Sequence, residues 1–155
     1  MARRAMARDD EGAAVVEFVF LAILLMVPIV YLVLTLARAQ ESAFAAEAVA
    51  RDVSRAAVVG GVEALQDGAT YAEAERAARE RADAVLETTL DDFHLRASDA
   101  EVTLTCTSSP CLEPGSDVLV DVTIMVRLPG IGSLVPRAGV SLSSAGSSPV
   151  DGYSP

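Results

Sequence analysis

Residues 13–37 read AAVVEFVFLAILLMVPIVYLVLTLA, an apolar run of twenty-five residues that is interrupted only by Glu17, Pro28 and Thr35. Sixteen of these residues are Val, Leu, Ile or Phe, and each favours insertion into a bilayer by about 0.3–0.6 kcal/mol. Their sum, about 5–10 kcal/mol, exceeds the cost of about 3 kcal/mol for one carboxylate at the bilayer centre. Because a helix of this length rises about 37 Å, the run predicts a transmembrane helix.

Positive charges lie mainly on one side of this run. Arg3, Arg4 and Arg8 precede it, whereas Arg38 is the only cation that follows it before Arg51. Positively charged flanks stay in the cytoplasm. We therefore expect a single-pass protein of the cell membrane, with a cytoplasmic N-terminus and an extracytoplasmic C-terminal part.

The residues after the run are strongly acidic. The chain has 155 residues and a formal net charge of -10, and beyond residue 37 nine Arg stand against eighteen Asp and Glu. This charge excludes nucleic acid as an expected partner, because nucleic acid requires a basic footprint, and it disfavours adhesion to anionic lipid. The length beyond residue 37 suffices for one compact domain.

Both cysteines lie in one short segment, Cys106-Thr-Ser-Ser-Pro-Cys111. Two thiols do not complete a structural zinc site, and the only histidine, His94, is remote in sequence. We therefore expect no metal site and a disulfide that closes a tight loop, with two free buried thiols as the alternative. A disulfide requires an oxidising compartment, which agrees with an extracytoplasmic location.

Two helices are predicted from periodicity and capping. Beyond Ala37 the pattern becomes amphipathic, so the first helix should continue to about Val59, where Gly60-Gly61 offers a stop before a turn region at 62–69. Thr70-Tyr-Ala-Glu73 is a capping box that begins a second helix, ending near Phe93. Its predicted inner face consists of Ala74, Ala78, Val85, Leu86, Leu90 and Phe93.

Alternation of side chains then predicts three antiparallel strands, at Glu101–Cys106, Val118–Leu128 and Gly139–Ser144. A break is expected at 129–132, and the Gly-, Ser- and Pro-rich residues 145–155 predict a flexible tail. The predicted fold class is α+β: a long N-terminal helix, a second helix and a small three-stranded antiparallel sheet.

The start of the apolar run carries a recognisable pattern. Arg8-Asp-Asp-Glu-Gly12 followed by Ala13-Ala-Val-Val-Glu17-Phe18 resembles a class III signal peptide of the type IV prepilin kind. With a proline in the middle of the span, it is similar to the TadE/TadF-like minor pseudopilins of the tight-adherence (Tad/Flp) pilus systems. The resemblance covers residues 8–59, about a third of the chain.

This resemblance implies processing and assembly. A membrane prepilin-type peptidase would cut between Gly12 and Ala13, so that Glu17 becomes the fifth mature residue, followed by the aromatic Phe18. The Glu17 carboxylate would then meet the N-terminal amine of a neighbouring subunit and set the register of assembly. The implied partners are that peptidase, other pilin or pseudopilin subunits, the inner-membrane pilus platform and the lipid bilayer, with possible incorporation into a surface pilus.

The domain layout follows from combining the patterns with the resemblance. It comprises a cytoplasmic leader at 1–12, a transmembrane helix at 13–37, an extracytoplasmic pilin-like domain at 38–144 and a tail at 145–155. We expect no enzymatic activity, no catalytic residues and no cofactor: Asp91-Asp92 point in different directions on a helix, and Gly130-Ile-Gly132 lacks the strand-to-helix setting and the lysine of a phosphate loop.

Two alternatives stay open. The chain could be a generic single-pass anchored domain that binds a ligand outside the membrane, which explains the length and orientation of the run but not Glu17. Conventional signal-peptide cleavage after Ala39 is a weaker alternative, because the run is longer than the roughly 7–15 apolar residues of such a peptide.

Overall fold

The computed structural model describes residues 3–127 and 139–151. The predicted α+β class is confirmed: a long apolar N-terminal helix precedes a second helix and a three-stranded antiparallel sheet. The elements are α1 (Arg3–Gln66), α2 (Tyr71–Asp92), a 3₁₀ turn (Ala97–Asp99), β1 (Ala100–Cys106), β2 (Asp117–Arg127) and β3 (Gly139–Pro149). The predicted break at 129–132, the predicted end of the second strand at Leu128 and the last residues of the predicted tail, 152–155, lie outside the described residues.

The chain divides into two compact units, Met1–Ala37 and Arg38–Pro155. The first unit contains the apolar part of α1, where every side chain from Ala13 to Val30 is exposed. Its Val, Leu, Ile, Met and Phe side chains between Val15 and Leu36 are 47–72 % exposed. A soluble protein rarely leaves so much contiguous apolar surface uncovered, so this stretch requires lipid or a protein partner.

The second unit has a core of small side chains. The portion of α1 in this unit buries Ala45, Ala46, Val49, Ala50, Val53 and Ala57, each at most 2 % exposed. The α2 helix contributes Ala74, Ala78, Ala82, Thr89 and Leu90. Ala74, Ala78 and Leu90 belong to the predicted inner face, and the predicted Leu86 and Phe93 are partly buried against the core, so that prediction is largely correct. Ala82 joins this face, whereas Val85 is only half-buried.

The sheet has the order β1-β2-β3, with every pairing antiparallel. The central strand β2 turns Val118, Val120, Val122 and Ile124 into the core, each 0–1 % exposed. The alternate side chains of β2 point to the other face of the sheet, on which the hydroxyls of Thr123 and Ser143 lie 3.0 Å apart. This alternation is the period of two expected for a sheet covered on one face.

The first helix does not stop at its paired glycines. The prediction of a stop at Gly60-Gly61 is wrong, because α1 continues to Gln66. The helix is followed by Gly68, whose φ of 89° is the left-handed conformation of a C-terminal cap. The Gly68 and Ala69 amides donate to the carbonyls of Leu65 (3.1 Å) and Ala64 (3.0 Å), which completes a Schellman motif.

Close packing explains the paired glycines. A Cβ on Gly60 would lie 2.7 Å from the Cβ of Arg81 on α2, and one on Gly61 would collide with the Cδ1 atom of Leu112. Glycine is therefore needed at both positions to let α2 and the loop after β1 approach the α1 backbone. Glycine often marks the end of a helix, but at these two positions it lies within α1 and allows α2 and the loop after β1 to pack against it.

Local hydrogen bonds fix both ends of α2. The predicted capping box is confirmed: the Glu73 amide donates to the Thr70 hydroxyl (3.4 Å), and the Thr70 amide donates to the Glu73 carboxylate (2.8 Å). The bond from the Thr70 amide, followed by one from the Thr70 hydroxyl (2.7 Å), stabilises the Glu73 carboxylate and lowers the pKa of Glu73 below its ordinary value. At the other end His94 adopts a φ of 55°, and the Leu95 amide donates to the Leu90 carbonyl (2.9 Å), so His94 is a helix-end residue as the sequence suggests.

The third strand is longer than its sequence indicates. It runs to Pro149, so residues 145–149, which the sequence assigns to the tail, belong to the sheet. Gly146 faces α1, where a Cβ would collide with the carbonyl of Ala50, so only glycine fits there. Val150 follows the strand and is 1 % exposed; its amide donates to the Ser116 carbonyl (2.8 Å), and its carbonyl accepts from Gly115 (2.9 Å).

Candidate functional site

The four residues predicted for processing and assembly lie near the N-terminal end of α1. Gly12 and Ala13 are both within the helix, and Glu17 and Phe18 follow one turn later. Glu17 is exposed, and Phe18 is 72 % exposed. The structure thus presents the carboxylate and the aromatic ring on the open surface of the apolar helix, where a second molecule can reach them.

Glu17 is surrounded on its own helix by apolar residues. The positions three and four residues away are Ala13, Ala14, Phe20 and Leu21, none of which can pair with a carboxylate. In the part of the chain that the structure describes, Glu17 has neither an ion-pair partner nor a hydrogen bond. A carboxylate in such a setting is costly in lipid unless another molecule supplies a cation or donors.

The other two interruptions of the run differ from Glu17. Thr35 donates its hydroxyl to the Tyr31 carbonyl at 2.8 Å, so its donor is satisfied within the helix. Pro28 lies inside the helix and lacks an amide hydrogen, so it leaves one carbonyl without its usual donor but adds no charge. Glu17 is therefore the one charged group within 13–37 that its own helix leaves uncompensated.

Ala13 and Glu17 occupy the same face of α1. They are separated by four residues, which corresponds to one turn and an axial rise of about 6 Å. Helical side chains lean toward the N-terminus, so the Glu17 side chain points back along the helix toward Ala13. A positive charge created at the Ala13 nitrogen would thus lie on the same face as the carboxylate.

The cysteine pair links the end of β1 to the loop that follows it. The Cα atoms of Cys106 and Cys111 are 5.5 Å apart, at disulfide distance, which fits the predicted bridge. The Cys111 amide donates to the Glu75 carboxylate of α2 at 3.2 Å, and the next residue, Leu112, is fully buried against Gly61 of α1. The loop between β1 and β2 therefore fastens the sheet to both helices, and its role is structural.

Sequence reasoning misses a cleft of about 430 Å³ in the second unit. Its wall includes Arg38, Glu41 and Ser42 from α1, together with His94 and Met125. The sequence signal that could have found it is the spacing of the three α1 residues, which places them on one helix face directly after the apolar run. The sequence did not predict that His94 lies in the same cleft wall as Arg38.

Among the described side chains, those of residues 13–126 and 139–151, no group of three or more His, Cys, Asp or Glu is placed to hold a metal ion. In the same ranges one helix is long and apolar enough to cross a membrane, and its apolar portion begins at Ala13.

No protein-family model matches the chain, and no curated protein or solved structure is significantly similar to it. Its function must therefore be argued from its own residues.

Proposed function

We propose that this protein is a minor pseudopilin-like subunit, an assembly component of a Tad/Flp-type pilus that is anchored in the membrane by residues 13–37 and has no enzymatic activity. The observation that carries the proposal is the position of Glu17, which lies five residues after Gly12 at the start of an exposed apolar helix. A long helix that continues into a small α+β domain is the architecture expected of such a subunit.

Membrane anchoring is the first step of the proposal. The exposed apolar surface between Val15 and Leu36 supports insertion, because lipid removes it from water. The arginines at 3, 4 and 8 support a cytoplasmic N-terminus. The cysteine pair at disulfide distance supports placement of the second unit outside the cytoplasm.

Processing would give Glu17 the partner that the helix lacks. Cleavage after Gly12 creates an ammonium group at Ala13 and exposes the first backbone amides of a new helix N-terminus. Both are positive and would lie close to lipid, so a nearby carboxylate stabilises them. The carboxylate can pair with the ammonium of a neighbouring subunit, and each charge then offsets the desolvation of the other.

Intact-mass measurement tests this proposal. The full chain is expressed in membranes with and without a prepilin-type peptidase, and we expect loss of residues 1–12 only when the peptidase is present. A Gly12→Leu variant, which fills the position before the cut, serves as the uncleaved control. Retention of the leader with an active peptidase would contradict the proposal and favour a plain membrane-anchored binding domain. A cut after Ala39 would instead identify a secretory signal peptide.

Substitution of Glu17 tests the assembly step separately. Glu17→Gln keeps the size of the side chain and removes the charge, so insertion should be unchanged. Leaving a buried ammonium unpaired costs about 3–5 kcal/mol, so incorporation into sheared filaments should fall by about a hundredfold or more. Glu63→Gln, an exposed carboxylate further along α1, is the matched control. Normal incorporation of the Glu17 variant would refute the role assigned to this carboxylate.

A further inference from the structure

Strand β1 forms one edge of the sheet. It pairs with β2 alone, so the alternate N–H and C=O groups along its other edge have no strand partner among the residues that the structure describes. An open edge of this kind accepts an extended segment as an additional strand, because its free backbone groups then form hydrogen bonds. Strand addition at β1 depends further on the space and the charge beside it.

A cavity of about 190 Å³ opens between β1 and α2. Val102 and Leu104 of β1 and Leu86 of α2 line it and are only half-buried, whereas the core-facing side chains of β2 are 0–1 % exposed. The core-facing side of an added strand would remove these three apolar side chains from water. We call this cavity and the open edge of β1 together the edge groove.

The opposite edge of the sheet, β3, offers less space. Gly146 of β3 lies against the Ala50 carbonyl of α1, where even a Cβ would collide. Its neighbours on the same face of β3, Ser144 and Ser148, are small, and β3 carries no charged residue. A strand added at β3 would therefore find little room on its core-facing side and no charge on β3 itself.

A row of carboxylates on α2 accompanies the edge groove. Asp83 lines the groove, and Glu87 and Asp91 line the next cavity along the helix, whose wall also includes Leu95 and Ala97 before β1. The three carboxylates are exposed, and none has an ion pair or a hydrogen bond among the described side chains. They are about 6 Å apart along the helix axis, close to the spacing of about 6.4–6.8 Å between alternate residues of a strand.

The other charged groups beside the groove leave its charge negative. Arg79 lines the groove one turn before Asp83, and Arg96 is exposed between the end of α2 and the 3₁₀ turn. Glu101 is exposed on β1, and Asp99, in the 3₁₀ turn, has an interaction of its own. The carboxylate row and Glu101 therefore outweigh two guanidinium groups, which favours a cationic partner.

We propose that the edge groove binds an extended segment of another protein, which adds to β1 as a fourth strand and carries arginine or lysine at alternate positions. Backbone hydrogen bonds to β1 hold the segment. The apolar stems of its cations cover Leu86, Val102 and Leu104, and their charged ends reach the carboxylate row on α2. A second copy of this chain fits less well, because its other edge strand, β3, has no cation. The groove lies wholly in the second unit, so binding does not depend on cleavage after Gly12.

Two peptides of equal composition test strand addition. The full chain is placed in phosphatidylcholine nanodiscs, and fluorescence anisotropy measures the binding of labelled Thr-Arg-Thr-Arg-Thr-Arg-Thr and Thr-Thr-Arg-Arg-Arg-Thr-Thr. An added strand turns alternate side chains to one face, so we expect the alternating peptide to bind about tenfold or more tightly than the other. N-methylation of one of its two sets of alternate amides should abolish binding, because only that set donates to β1, whereas N-methylation of the other set should not. Equal affinities of the two peptides, or binding that survives N-methylation of either set, would overturn the proposal.

Two variants with equal loss of charge locate the cation site. Neutralising the carboxylate row should weaken binding of the alternating peptide by about tenfold or more, through Asp83→Asn, Glu87→Gln and Asp91→Asn together. The control variant loses three exposed carboxylates outside both cavities and should bind within about twofold of the unaltered protein, through Asp52→Asn, Glu63→Gln and Asp67→Asn. Equal losses of affinity in the two variants would overturn the proposal.

Hydrogen exchange identifies the edge that the peptide occupies. The alternating peptide should slow the exchange of the β1 amides, and unchanged exchange of the β2 amides in both variants shows that they are folded. Protection of β3 instead of β1 would overturn the proposal. Protection of β1 that grows with protein concentration in the absence of peptide would also overturn it, because a second copy would then be the occupant.

Discussion

Replacement of Gly61 by alanine gives the sharpest test of how α1 is packed. If Gly61 merely weakened the helix, alanine would stabilise the domain by about 1 kcal/mol through its higher helix propensity. In the structure the added Cβ would collide with Leu112 Cδ1 and lie 2.9 Å from Cδ2. Leu112 is 0 % exposed, so its side chain would have to repack within the core, and overpacking of this kind costs about 1–3 kcal/mol. We therefore expect a net change between about zero and a loss of 2 kcal/mol.

A double-mutant cycle with Leu112 shows whether Gly61→Ala changes the stability through packing or through helix propensity. Leu112→Ala alone should cost about 2–5 kcal/mol, because it empties a fully buried site. In that background Gly61→Ala has space, and it should stabilise by up to about 1 kcal/mol. The coupling between the two positions is then about 1–3 kcal/mol, the size of the relieved overpacking. Gly60→Ala, which meets Arg81 rather than Leu112, is the control and should behave alike in both backgrounds.

Hydrogen exchange of the β2 amides, measured on the full chain in nanodiscs, reports these changes. The β2 strand is central in the sheet, so its amides exchange through opening of the whole second unit. A tenfold change in exchange rate corresponds to about 1.4 kcal/mol. If Gly61→Ala slows exchange equally with and without Leu112, the packing role of Gly61 is wrong and the glycine only weakens the helix.

Two further predictions concern local structure. Thr70→Ala removes the N-cap of α2 and should lower the free energy of unfolding by about 1 kcal/mol at pH 7, measured by urea denaturation. Hydrogen bonds from Thr70 lower the pKa of Glu73 in the folded state, so the carboxylate stabilises the fold above its unfolded pKa and loses this effect as the pH falls through the folded pKa. The difference in the free energy of unfolding between Thr70→Ala and the unaltered protein should therefore shrink as the pH falls below the range in which a glutamate ordinarily titrates, and a constant difference would contradict the capping box. Reduction of the Cys106–Cys111 bridge should lower the free energy of unfolding by about 2 kcal/mol according to the chain-entropy model, and urea denaturation with and without a reductant will measure this loss. A Cys106→Ser/Cys111→Ser variant should not respond to the reductant. An unaltered protein that does not respond either would refute the bridge.

Features that depend only on residues close together in the sequence were predictable from it. The capping box at Thr70 and Glu73 depends on two side chains and the backbone between them, so its four residues suffice to locate the start of α2. The alternation of Val118, Val120 and Val122 likewise identifies the buried face of β2 without knowledge of its neighbours. The apolar run can be identified as a candidate membrane span from its length and composition alone.

Features that depend on a distant partner were not predictable in the same way. The pair Gly60-Gly61 has the local appearance of a helix stop, and only the approach of Arg81 and Leu112 explains why glycine is there. The residues after Ser144 have a loop-like composition, yet Gly146 is a strand residue because the Ala50 carbonyl leaves no room for a side chain. The same holds for the cleft at Arg38, whose walls come from parts of the chain about ninety residues apart.

The burial of Val150 has a consequence for how the protein is made. The sheet needs β3 to cover one edge of β2, and the hydrogen bonds of Val150 with Gly115 and Ser116 join the end of that strand to the loop that precedes β2. During synthesis the apolar run emerges long before residue 150, so α1 can form while the residues that complete the sheet are still being added. The second unit therefore reaches its final fold only after residue 150 has been added, and a ribosome that stalls in β3 would leave a chain with an incomplete sheet and an exposed strand edge.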